Sequence, residues 1–247
     1  MDKALYVAMT GAMQTLRAQA SVNHNLANAS TTGFRAELAA SEAAVIPGQG
    51  LPTRVNAVLE DQGFDPSQGA IQNTGRTLDV AVRAPNAWIA VQGADGNEAY
   101  TRAGDLTVDA NGQLRNGAGH PVLGDGGPIS IPPSGQITVG EDGTVSIVPQ
   151  GQSPSTQATV GRIRVVTVDP KNLTRGNDGL MRARPGVDVT PVAGNSLATG
   201  ALESSNVNLA DTLVNMIQLA RQFELQVKLM HTTDDNAQSS ASLLRMG

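Results

Sequence analysis

The sequence predicts an α+β chain, with N- and C-terminal helices forming a coiled-coil-like assembly region around a mainly antiparallel β middle domain. Three observations carry this expectation. Both ends are proline-free and place apolar residues at alternating steps of four and three. The middle consists of short β-prone runs separated by turn dipeptides, and those runs recur about every ten residues. The expected boundaries are residues 1–35 for the N-terminal helix, 36–74 for an extended connector, 75–203 for the β domain and 204–247 for the C-terminal helix.

The first helix is read from Asp2 to about Ala29, with a seam of Leu5, Met9, Ala12, Leu16, Gln19, Asn23 and Leu26. Gln19 and Asn23 place amides on that stripe, where polar residues select register and partner at some loss of stability. Gly11 costs the helix about 1 kcal/mol relative to alanine, but it lets another backbone come close. Ser30-Thr31-Thr32-Gly33 supplies the stop.

At the other end, Asn208 is placed to cap a helix, with Asp211 near the positive end of its dipole. No proline or internal glycine interrupts the segment as far as Arg245. Its seam reads Leu209, Leu213, Met216, Ala220, Phe223, Val227, Met230, Ala237, Ala241 and Leu244, broken only by Asp234. A 4-3 alternation sustained this long suits a partner helix better than the surface of one globular core.

Between the helices, Leu78–Val82, Trp88–Val91, Leu106–Val108, Ile129–Ile131, Gln136–Val139, Val145–Val148 and Arg162–Val166 read as strands. Asp95-Gly96, Asn111-Gly112 and Asp142-Gly143 reach the positive φ of tight hairpins. Pro149–Ser155 reads as a surface loop.

Composition narrows the function classes. The chain has three Phe, two Tyr and one Trp in 247 residues, so Ala, Val, Leu and Ile must build the core. Charged residues are 16%, well below the roughly 25% of an ordinary soluble domain, which suits a chain that buries its exterior against others. The net charge is −5 and Lys and Arg nowhere cluster, which argues against nucleic acid as a partner. Absence of Cys removes disulfides and thiolate chemistry. The N-terminus lacks the features of a Sec signal, and no apolar run is long enough for membrane insertion.

Candidate chemistry is sparse, and no catalytic, cofactor-binding or metal residue is assigned. His24, His120 and His231 share no ligand spacing. Val108–Gly112 and Gly140–Gly143 resemble fragments of calcium loops without the acidic twelfth position and read as hairpin turns. Asp79, Asp105 and Asp109 are the carboxylates a glycan-cleaving enzyme would need, and that is the alternative to a structural role.

The run Asn25-Leu26-Ala27-Asn28-Ala29-Ser30-Thr31-Thr32-Gly33-Phe34-Arg35-Ala36 resembles the signature that closes the first helix of flagellar rod and hook proteins. Leu78–Val82, Tyr100-Thr101-Arg102-Ala103-Gly104 and Gly200-Ala201-Leu202-Glu203-Ser204-Ser205-Asn206-Val207 are similar to further blocks of that family, in the same order. His24 departs from the family's usual Asn. The Tyr6–Ala12 run and the length look most like the proximal rod branch, with distal rod or hook-type axial proteins as the alternative. The resemblance implies a non-catalytic subunit of the periplasmic rod, without cofactor, stacked helically with copies of itself and with other rod proteins (FlgB, FlgC and FlgG). It further implies export by the flagellar type III apparatus, terminal helices forming an inner tube, and torque passed on to the hook.

Overall fold

The computed structural model describes residues 2–45, 55–151 and 156–246. It divides into two compact units, one made of Met1–Ala29, Glu37–Phe64 and Val207–Gly247, the other of Ser30–Ala36 and Asp65–Asn206. An N-terminal helix, a C-terminal helix and a mainly antiparallel β region make the chain α+β.

In the first unit, helix α1 spans Asp2–Ala27 and helix α2 spans Leu209–Met246. The Asn208 Oδ1 accepts from the amide of Ala210 at 3.0 Å, and its Nδ2 donates to Asp211 at 2.7 Å, so the expected N-cap is formed. At the end of α1 the backbone and side-chain amides of Asn28 both donate to the His24 carbonyl, at 3.2 and 2.9 Å, satisfying one of the orphan acceptors of the last turn.

The stretch expected to be an extended connector contains two paired strands. Strand β1 (Glu37–Val45) pairs antiparallel with β2 (Val55–Phe64), from Glu37 opposite Phe64 to Val45 opposite Val55. Alanine-rich β1 lacks the alternation and β-branched content by which strands are recognised, so pairing rather than propensity defines it. Asn25 ties its start to α1: Nδ2 donates to the Glu37 carbonyl at 3.0 Å and Oδ1 accepts the Glu37 amide at 2.8 Å, a side-chain copy of a ladder pair.

The second unit holds the core. Its six-stranded sheet runs in the order Leu173–Arg175, Met181–Ala183, Glu98–Thr101, Ala87–Gln92, Val165–Thr167, Thr190–Pro191. Ala87–Val91 is buried on both faces, which is why it reads as a continuous apolar run. A three-stranded sheet, Ser134–Val139, Thr144–Pro149 and Ala158–Arg162, instead alternates: Val145 and Ile147 are buried while Thr144 and Ser146 are partly exposed. Val80, Val82, Ile89, Leu106, Leu114, Val122, Ile129 and Leu197 belong to one aliphatic cluster, as the scarcity of aromatics requires. Gly96, Gly112 and Gly143 have φ of 78°, 79° and 87°, so the expected turn dipeptides adopt the conformation that favours glycine. Residues 152–155 of the expected loop lie outside the described residues.

Candidate assembly surface and its anchorage

Within the helical unit, α1 and α2 pack through small residues. Ala8, Ala12 and Thr15 are buried on α1, and a Cβ at Gly11 would stand 3.0 Å from Nε2 of Gln226. The Thr15 hydroxyl donates to the Gly11 carbonyl at 2.9 Å and to Gln226 Oε1 at 3.3 Å. The close approach expected at Gly11 is therefore made by a glutamine side chain of α2.

This packing leaves large apolar side chains outside. On α1, the expected seam residues Leu5, Met9 and Leu16 are exposed, together with Tyr6 and Met13. Ala12 is buried, Gln19 and Leu26 are partly covered and Asn23 is exposed. On α2, Met216, Ala220, Phe223, Val227, Met230 and Ala237 form a half-buried stripe, and Leu209, Leu213 and Ala241 are exposed. The Leu244 side chain lies outside the described residues. Phe223 and Val227 line a cleft on α2 with Glu224, Lys228 and His231. A second set on α2, Val214, Ile217, Leu225 and Leu229, is bare, and periodicity alone did not select it. Each of these side chains would return at most about 1.5–3 kcal/mol if it became fully buried.

The remaining signature residues do local work. Thr32, Gly33 and Phe34 belong to the β unit, whereas Asn25–Asn28 belong to the helical one. Gly33 has φ +67°, and a Cβ there would fall 2.3 Å from the Arg102 carbonyl carbon. Phe34 carries the Arg175 guanidinium 4.6 Å above its ring, and Arg175 Nη2 donates to the Arg35 carbonyl at 2.6 Å. Leu26 and Ala27 complete the last turn of α1.

Sequence reasoning missed an ionic knot inside the β unit. Arg35, Arg102 and Glu203 are all buried. Glu203 Oε1 is 2.5 Å from Arg35 Nη2, and Oε2 accepts from Arg102 Nε at 2.7 Å. Arg102 spends its other donors on the carbonyls of Val82, Ala84, Pro85 and Ala87 at 2.6–3.1 Å. Burial pushes the Arg102 guanidinium down from its ordinary value; Glu203 opposes that shift and Arg35 adds to it. Nε and Nη1 of Arg35 have no hydrogen-bond partner among the described residues. Each member lies in one of the family-like blocks, but nothing in a linear reading pairs charges this far apart.

Of the suspected carboxylates, Asp79 and Asp109 have structural partners, whereas Asp105 Oδ1 is buried with no hydrogen-bond partner among the described residues. Asp79 accepts from Thr74 at 2.6 Å and from Arg76 at 2.7 Å, and its backbone bridges to Asp105. Asp109 takes the amide of Gln113 at 2.8 Å, the Arg115 guanidinium at 2.7 Å and the amide of Asn111 at 2.9 Å, which together lower its pKa and close a turn. Among the described residues no three His, Asp or Glu side chains form a metal cage, and no helix is long and apolar enough to cross a membrane.

Three family models match along the chain: flagella basal body rod protein over residues 5–35, the hook protein FlgE/F/G D1 domain over 85–147, and the rod FlgEFG protein C-terminal region over 198–243. The flagellar basal-body rod protein FlgF of Escherichia coli (strain K12) is 43% identical over the full length of both chains, and its Salmonella typhimurium counterpart is 41% identical over the same span. This chain belongs to the flagellar basal-body rod protein family. A rod protein FlgG of Buchnera aphidicola is 31% identical over 90% of this chain and 92% of its own, so the FlgF likeness is the stronger. The rod family's terminal models cover most of α1 and most of α2, including the bare apolar rows of both helices.

Proposed function

We propose that this chain, a structural subunit of the bacterial flagellar basal-body rod, assembles with copies of itself and other axial proteins by covering the exposed apolar rows of α1 and α2. The observation that carries this reading is the row Leu5, Tyr6, Met9, Met13 and Leu16, open on α1 while the small residues beside it are already used against α2. A neighbouring helix seated on these five side chains would return at most roughly 7–15 kcal/mol of apolar burial, a sum comparable to the roughly 4–15 kcal/mol that association costs, so the contact relies on repetition through the array. The subunit is FlgF-like, part of the rod that spans the periplasm, exported through the flagellar apparatus and contributing no catalytic step.

Purified hook–basal bodies from cells expressing Met9→Asp or Leu16→Asp test this. The proposal expects wild-type protein in the rod fraction by mass spectrometry and both variants in the soluble fraction, still folded. Normal incorporation of both variants would overturn it.

A further inference from the structure

The chain passes between the units four times, after Ala29, Ala36, Phe64 and Asn206. On the β-unit side these passages are laced together by two residues near the end of that unit. Asn206 Oδ1 accepts the Ala36 amide at 2.7 Å, while Nδ2 donates to the carbonyls of Asp65 and Ser67 at 3.2 and 3.0 Å. The Asn206 amide itself donates to the Phe34 carbonyl at 3.3 Å. Three residues earlier, the Glu203 carbonyl accepts the Gly33 amide at 2.8 Å, and its carboxylate accepts the Gly69 amide at 3.0 Å besides both arginines. The Asp65 amide closes the ring by donating to the Ala36 carbonyl at 2.8 Å.

We infer that Glu203 and Asn206 form a clasp that makes all four chain passages of the β unit open and close as one cooperative element. An amide side chain that donates twice and accepts once among segments 139, 141 and 170 positions away couples the release of one segment to the pairing of the others. A subunit so built shares a pull on any single passage among all four, which suits the rod role proposed above; the clasp itself is a property of the isolated chain.

Hydrogen exchange on the full-length protein tests it independently of rod assembly. In Asn206→Ala the amides of Gly33, Asp65 and Ser204, none of which bonds to the Asn206 side chain, should exchange about tenfold faster or more, and by the same factor. The Ala90 amide, central in the six-stranded sheet, should keep its wild-type rate. Acceleration confined to Ala36, or spread equally to Ala90, would overturn the clasp. Should Asn206→Ala not fold, Asn206→Asp keeps the acceptor for Ala36 and loses the donors. Joint acceleration at Gly33 and Asp65 then supports the proposal, and wild-type rates at both overturn it.

Discussion

Glu203 Oε2 lies 2.7 Å from Nε of Arg102, and neither side chain is exposed to solvent. Together with Arg35 this places two guanidinium groups on one carboxylate in the interior of the β unit. Glu203→Ala leaves both cations uncompensated and should destabilise the β unit by about 3–5 kcal/mol in denaturant unfolding. Arg35→Met should cost less than half as much, because Glu203 and Arg102 then remain a one-to-one pair and the unpartnered nitrogens of Arg35 are removed.

Phe223→Asp should separate assembly from folding. Phe223 lies midway along α2 in a cleft of that helix, so a charge there removes about 2–3 kcal/mol of potential burial at each subunit contact. The purified variant should retain its β-type circular dichroism while cells carrying it lose rods and motility. Loss of the β signal together with assembly would contradict this.

Gly33 and Gly75 give a matched comparison. Both have positive φ, +67° and +71°, but a Cβ at Gly33 would meet the Arg102 backbone at 2.3 Å, whereas Gly75 faces open space. Gly75→Ala should cost only the conformational term, about 1–2 kcal/mol. Gly33→Ala should cost at least about 2 kcal/mol more, measured by thermal unfolding, because backbone cannot swing aside as a side chain does.

Acid and alkali should act on different residues. Hydrogen bonding to Arg182 holds Asp178 down to about 2, so it binds its proton less readily when folded than when unfolded. Its contribution is therefore present above about pH 4 and lost as pH falls toward 2. Burial, aided by Glu98, pushes Tyr100 up to about 12, so stability should decline as pH rises from about 10 to 12, where the unfolded chain releases that proton first. Asp178→Asn should flatten the acid limb and Tyr100→Phe the alkaline one in unfolding measured across pH.

The terminal helices, the turn dipeptides and most strands were legible because each leaves a local trace: a 4-3 stripe, a glycine after an acidic or amide residue, a β-branched run. The pairing of β1 with β2 left none, since alanine-rich β1 takes its conformation from its partner strand and from Asn25. The apolar stripe of α1 was legible, but not which residues beside it would be taken by α2, because Ala8, Gly11 and Thr15 carry no hydrophobic signal. The ionic knot was illegible for another reason: Arg102 and Glu203 are 101 positions apart, and only folding brings them together.

The single tryptophan of the chain, Trp88, is buried in the β unit with the Arg102 guanidinium 5.6 Å from its ring centre. Intrinsic tryptophan fluorescence thus reports one neighbourhood of the β unit, at the edge of the ionic knot. Excited at its red edge, the native protein carries its own optical gauge. An emission band that holds its wavelength while subunits polymerise, then shifts when Glu203 is replaced, would follow the interior of the β unit without any attached dye.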